Sequence, residues 1–175
     1  TGFKDGIMTE SMLILAHGSQ DMTQVYLTTG NGVVNTSTSS NGVTMSVNDL
    51  TPSLLGAYCI DSNGTLGNYL TSSMSYQILL QGLSSPTSIA SSLDTGDEWL
   101  LVTGNSEMNV WELSGGSLTD VNPVNTVPLE SNFSDVVADQ GYAYGGDSSG
   151  RLWIATANPW VSDVVVDQAA ASLGD

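Results

Sequence analysis

The chain has 175 residues and a formal net charge of -16, with thirteen Asp and five Glu set against one Lys (Lys4) and one Arg (Arg151). Two bases cannot displace the counterions of a phosphate backbone or hold an anionic bilayer, so nucleic acid and lipid surfaces are excluded as expected partners. A lone Cys59 and a lone His17 exclude an internal disulfide, a thiolate zinc site and a multi-histidine metal centre, so neither a metal nor a cofactor is expected.

The length suits one domain, and 40% apolar residues suffice for a core. Thr1 to Asp5 lacks an apolar signal region, and no apolar run is long enough for a membrane-spanning helix. Short apolar or alternating runs then follow one another: Met12–Ala16, Gln24–Leu27, Leu54–Ile60, Tyr76–Leu80, Trp99–Val102, Asn109–Leu113 and Arg151–Ala155. Each is bounded by turn formers, which predicts strands. Asn31-Gly32, Asn41-Gly42 and Asn63-Gly64 accept positive φ and predict hairpin turns. Prolines at 52, 86, 123, 128 and 159 fall between the runs. The single helical candidate is the tail 168–173, too short to be stable alone. Ser, Thr, Asn and Gly total 73 residues, so solubility rests on hydroxyls and amides and depends little on ion pairs that salt would screen. A saline or extracellular setting is one expectation from that surface.

The strands recur as a repeat. The segment 101–111 aligns without a gap on 143–153, and 60–66 aligns on 146–152. With Ser19, Asp61, Asn105 and Asp147 as markers, the spacings are 42, 44 and 42 residues. A period of ~40–45 residues with four strands per unit is that of a β-propeller blade. The expectation is therefore an all-β, β-propeller-like domain over 1–175, of about four four-stranded units (roughly 1–40, 41–84, 85–129 and 130–175); a β-sandwich is the alternative. In the third unit strands are expected at 87–93, 98–103, 109–113 and 117–122, and in the fourth at 133–138, 142–145, 151–156 and 161–167.

Leu100 to Leu113, with its apolar strand, Gly-polar turn and Trp111-Glu112 pair, resembles the second half of a WD40-type blade. Asp147 to Trp153 resembles the Asp-box hairpin of sialidase-type propellers, with one residue inserted and Leu152 in place of Thr. No Gly-His pair opens any unit. The resemblance implies a propeller-like architecture and no particular activity. Four blades is a small number for one chain; closed four-bladed propellers such as hemopexin-like domains are known, and a ring shared between chains is the other solution.

Candidate chemistry is sparse. Asp94, Asp97 and Glu98 flank the hairpin tip Thr95-Gly96, where solvation opposes the raised pKa that a catalytic carboxylate pair needs. The loops beginning at Asp61 and Asp147 offer hard oxygens for calcium, but Ser19 and Asn105 at equivalent positions favour Asx-type turns. Trp111 and Trp153 read as core aromatics, whereas Trp99 and Trp160, beside turn residues, are candidates for an exposed sugar-binding platform. Asn122 to Pro128 reads as a long apolar connection, with Pro123, Val124, Val127 and Pro128 as a docking loop. Val161 to Asp167 nearly repeats 133–139 and is an edge in search of a partner.

The function expected is that of a non-enzymatic structural or interaction protein inside a larger assembly, a homo-oligomer or a virion component such as a capsid decoration, tail or fibre. The alternative is a carbohydrate-binding module whose partners are glycans. On charge alone, a retardation assay at low salt should show no complex with duplex DNA; a tight complex would contradict this reading.

Overall fold

The computed structural model describes residues 3–9, 12–17, 22–28, 32–39, 45–94, 97–129, 133–139, 141–156 and 161–166. Strands make up most of them, and no helix is found among them. They form four separate antiparallel sheets, none closed on itself. The chain divides into two compact units, 1–85 and 86–175. Each of the four expected repeats holds one sheet. The helical candidate 168–173 and the turns at 31 and 41 lie outside the described residues.

In the first unit, β1 (Phe3–Met8), β2 (Met12–His17), β3 (Met22–Thr28) and β4 (Gly32–Ser39) form a meander. A second meander follows: β5 (Val47–Ser53), β6 (Gly56–Asp61), β7 (Thr65–Leu70) and β8 (Ser75–Gln81). The two sheets bury a shared core. Ile14, Ala16 and Met22 come from the first; Met45, Val47, Leu50, Ala57, Cys59, Tyr69 and Tyr76 come from the second and its lead-in. Burying a side chain of this size stabilises the fold by roughly 1.5–3 kcal/mol. Tyr69 and Tyr76 meet edge to face, with ring centroids 5.3 Å apart. Gly67 leaves the space that Met45 fills: a Cβ there would lie 3.0 Å from the Met45 sulfur.

In the second unit, β9 (Pro86–Asp94), β10 (Asp97–Gly104) and β11 (Glu107–Ser114) are completed by two short strands, β12 (Ser117–Leu118) and β13 (Asn125–Pro128), both paired with β11. Then come β14 (Phe133–Asp139), β15 (Tyr142–Asp147), β16 (Leu152–Thr156) and β17 (Val161–Val166). The shared core joins Ala90, Leu101, Met108, Val110 and Val127 to Phe133, Val136, Ala143, Trp153 and Ala155. Gly145 is required here, since a Cβ would collide with the Phe133 ring.

Three local expectations are corrected. Leu54 and Leu55 do not belong to a strand; they form the turn between β5 and β6 and are 55% and 53% exposed. Pro52 lies within β5 rather than between strands, which is tolerated because β5 is an edge strand that needs fewer N–H donors. The fourth strand of the third unit is not 117–122 but the two pieces β12 and β13.

Cys59 is fully buried, and burial pushes its thiol up from the ordinary 9.0 to about 12. The unfolded chain therefore loses this proton first, so the stability from keeping Cys59 neutral is complete below pH 9.0 and declines as pH rises toward 12. The expected slope is about 1.4 kcal/mol per pH unit in that window. Denaturant titrations at pH 8 and pH 10.5 should show this loss in the native chain, and Cys59→Ala should remove that share of it.

Candidate functional site

The repeat markers are structural acids. Asp61 is 2% exposed, and its Oδ1 accepts the backbone N–H groups of Asn63 (3.0 Å) and Thr65 (2.9 Å). Asp147 does the same for Ser149 (2.8 Å) and Arg151 (3.1 Å). Its Oδ2 accepts from Arg151 Nε at 2.8 Å and from Trp153 Nε1 at 3.1 Å. Gly64 and Gly150 close these turns at φ of 81° and 78°, a conformation glycine adopts without strain. In the third unit Asn105 and Ser106 make the turn with φ of 50° and 59°. Ser19, the first marker, lies outside the described residues. The carboxylates thus serve the hairpins, and no group of three or more metal-ligating side chains occurs among the described residues.

The tryptophans divide. Trp153 is buried against Phe133 at a centroid distance of 6.1 Å, and the Arg151 guanidinium carbon lies 5.1 Å from the ring centroid. Trp111 is 1% exposed and donates from Nε1 to the Val121 carbonyl at 3.3 Å. Trp99 does not stand out as a platform: it is partly buried and packs against the second unit's core, because it shares a face of β10 with Leu101. Trp160 lies outside the described residues. Glu98 accepts from the Gly116 N–H at 3.2 Å and thereby fixes a turn.

The segment 122–128 is not a free loop. Val124 donates its N–H to the Val110 carbonyl at 2.8 Å, β13 pairs with β11, and Val127 is buried in the core. Pro123 is half-buried, while Val124 and Pro128 are exposed. Val124 is 53% exposed, and Val121, just before the segment, is 61% exposed.

Two features escaped the sequence reading. The first is a row of acceptors on the leading strands. Asp5, Asp49 and Asp135 each follow a register shift, and each bonds the next N–H of its own strand: Gly6 at 2.8 Å, Leu50 at 2.9 Å and Val136 at 2.8 Å. Within the first unit Asp5 Oδ2 also accepts the Leu50 N–H, at 3.1 Å. Within the second, Ser88 occupies the corresponding place: its Oγ accepts the Val136 N–H at 3.1 Å and donates to Asp135 Oδ1 at 3.2 Å. The recurring apolar-x-Asp at 3–5, 47–49 and 133–135 was the available signal; spacings of 44 and 86 with a Ser between hid it.

The second feature is an apolar face on the last sheet. Val137, Tyr142, Tyr144 and Leu152 are 59%, 47%, 36% and 39% exposed. The two tyrosines stack with centroids 6.3 Å apart. An open groove of about 210 Å³ runs here between Asp135, Val137, Tyr144, Gly146 and Leu152.

No family model matches the chain, and no curated protein matches it in sequence. Solved structures do match in fold. The structure of U3-55K superposes with a TM-score of 0.69 at 13% identity, over 93% of this chain and 51% of that one. PorZ, a bacterial surface component of the type-IX secretion system of Porphyromonas gingivalis, gives 0.62 at 13% identity, over 94% of this chain and 22% of that one. The computationally designed Ika4 protein gives 0.60 at 11% identity, over 89% of this chain and 91% of that one. The chain thus spans about half the length of U3-55K, and at these identities the likeness is one of β-rich fold alone.

Removing the Asp147 carboxylate strands two turn amides, the indole N–H and a guanidinium. Asp147→Ala is expected to cost on the order of 3 kcal/mol. Trp153→Ala is expected to cost about 3–5 kcal/mol. Chemical denaturation of both variants checks this, and a change within experimental error for either would refute the assignment.

Proposed function

We propose that the chain is a β-propeller-like, non-enzymatic interaction module that works inside a larger protein assembly. The observation that carries this reading is the exposed face of Val137, Tyr142, Tyr144 and Leu152 on the last sheet. Contiguous apolar surface on a folded domain marks a place where another protein sits. The propeller form is supported by the 42–44 residue period, by four consecutive meanders, and by leading strands that lie together within each unit, β1 with β5 and β9 with β14. The setting we propose is a particle surface, such as a viral capsid decoration, tail or fibre. A hydroxyl-rich chain whose one cysteine is a buried free thiol fits that setting.

A catalytic role has little support. Asp61 and Asp147 are committed to turns, and Glu98 to a third. A sugar-binding role is the second reading, and the stacked Tyr142–Tyr144 pair beside Asp135 is the observation that favours it. Sedimentation of the intact chain and a glycan array separate the two. Association or incorporation into a particle, with no glycan signal, is expected. A monomer that binds glycans and loses them in Tyr144→Ala would replace the assembly reading with the lectin one.

A further inference from the structure

Within each unit the two sheets meet through one repeated contact. In the first unit, the face of β1 and β2 bearing Asp5, Ile7, Ile14 and Ala16 packs on the following sheet at Leu50, Ala57 and Cys59. In the second, the face bearing Ser88, Ala90 and Leu101 packs on Val136, Ala143 and Gly145 in the same register. Both contacts carry the same polar clasp: the N–H one residue after the bulge donates to its own carboxylate and also to the acceptor on the preceding sheet.

The last sheet offers the donating face of this contact again. Asp135 stands where Asp5 stands, Val137 where Ile7 stands, and Tyr144 where Ile14 stands. Asp135 Oδ1 is engaged by Val136 N and Ser88 Oγ, while Oδ2 has no donor among the described residues. The first sheet offers the receiving face. Gly6 stands where Leu50 and Val136 stand, and Leu13 and Leu15 stand where Ala57 and Cys59 stand. The Gly6 N–H reaches its own Asp5 at 2.8 Å and, among the described residues, no second acceptor. Met8, beside it, is 58% exposed.

Resting on the assembly reading above, we propose that these faces meet between two copies of the chain: the last sheet of one copy receives the first sheet of the other, with Asp135 Oδ2 accepting the partner copy's Gly6 N–H. The contact is head to tail, and the dimer proposed is its closed case, made through two identical interfaces. Each interface has an apolar centre of Val137, Tyr144 and Leu152 against Met8, Leu13 and Leu15. Its polar clasp is the one already formed inside each unit.

Light scattering on the intact chain should give twice 18.2 kDa. Val137→Glu and Met8→Glu each place a charge at an exposed position of one face, so each should be a monomer with an unchanged circular dichroism spectrum and melting temperature. Mixed in equal amounts at high concentration, the two variants should recover a weaker dimer, since the mixed pair keeps one intact interface of the two. An intact chain that stays monomeric at high concentration overturns the pairing, as does a mixture that stays monomeric. A monomer found by crosslinking within a particle would sink the pairing and leave the assembly reading standing; a monomer that binds glycans through Tyr144 would remove both.

Discussion

Most of the polar order in this fold follows from a shortage of cations. Eighteen carboxylates share one Lys and one Arg, so buried or half-buried acids must find donors elsewhere. The backbone supplies them. Asp5, Asp49, Asp61, Asp135 and Asp147 all accept main-chain N–H groups, at bulges in three cases and in hairpin turns in two. A carboxylate that accepts two or more such bonds is held in one orientation and fixes the register of the strand that donates them. The sheets then need no ion-pair network, and Arg151 is drawn into a pre-formed acceptor at Asp147.

That constraint also explains how much of the fold was legible. The fourth sheet lies close to its expected strands because two of its turns contain residues suited to them: Asp147 with Gly150 in one, Gly141 at φ 79° in the other. Asp61, Asn105 and Asp147 mark equivalent hairpins because the turn itself demands an acceptor or a positive φ there. Legibility fails where tertiary pairing overrides local pattern. Residues 122–128 look like a connection because two prolines and a short apolar stretch give no period, yet Val127 is drawn into the core by pairing with Met108. Trp99 looks exposed beside its turn, but the two-residue alternation from Leu101 turns it inward.

The exposed apolar face of the last sheet was less readable for a related reason. Val137 and Tyr144 obey the same alternation as residues that face a core, so the pattern marks them as one face of a strand without saying whether that face is covered. Asp135 reads as one Asp among thirteen until the register of β14 with β15 aligns it with Asp5. Only the comparison of sheets distinguishes an acid that serves its own strand from one that also reaches a neighbouring sheet.

Met45 and Gly67 form a complementary pair, and so do Phe133 and Gly145. In the second sheet the position matching Trp153 is Gly67, and the missing volume is restored by Met45 from the stretch leading into β5. In the fourth sheet the in-register residue is the large one. Volume has therefore been traded between a strand and the segment upstream of it, so these repeats are not interchangeable parts. A duplication or graft that moved β5–β8 without Met45 would carry a hole into its new site. The inherited module is the sheet together with its lead-in, and lineages that enlarge residue 67 should shrink residue 45 in step.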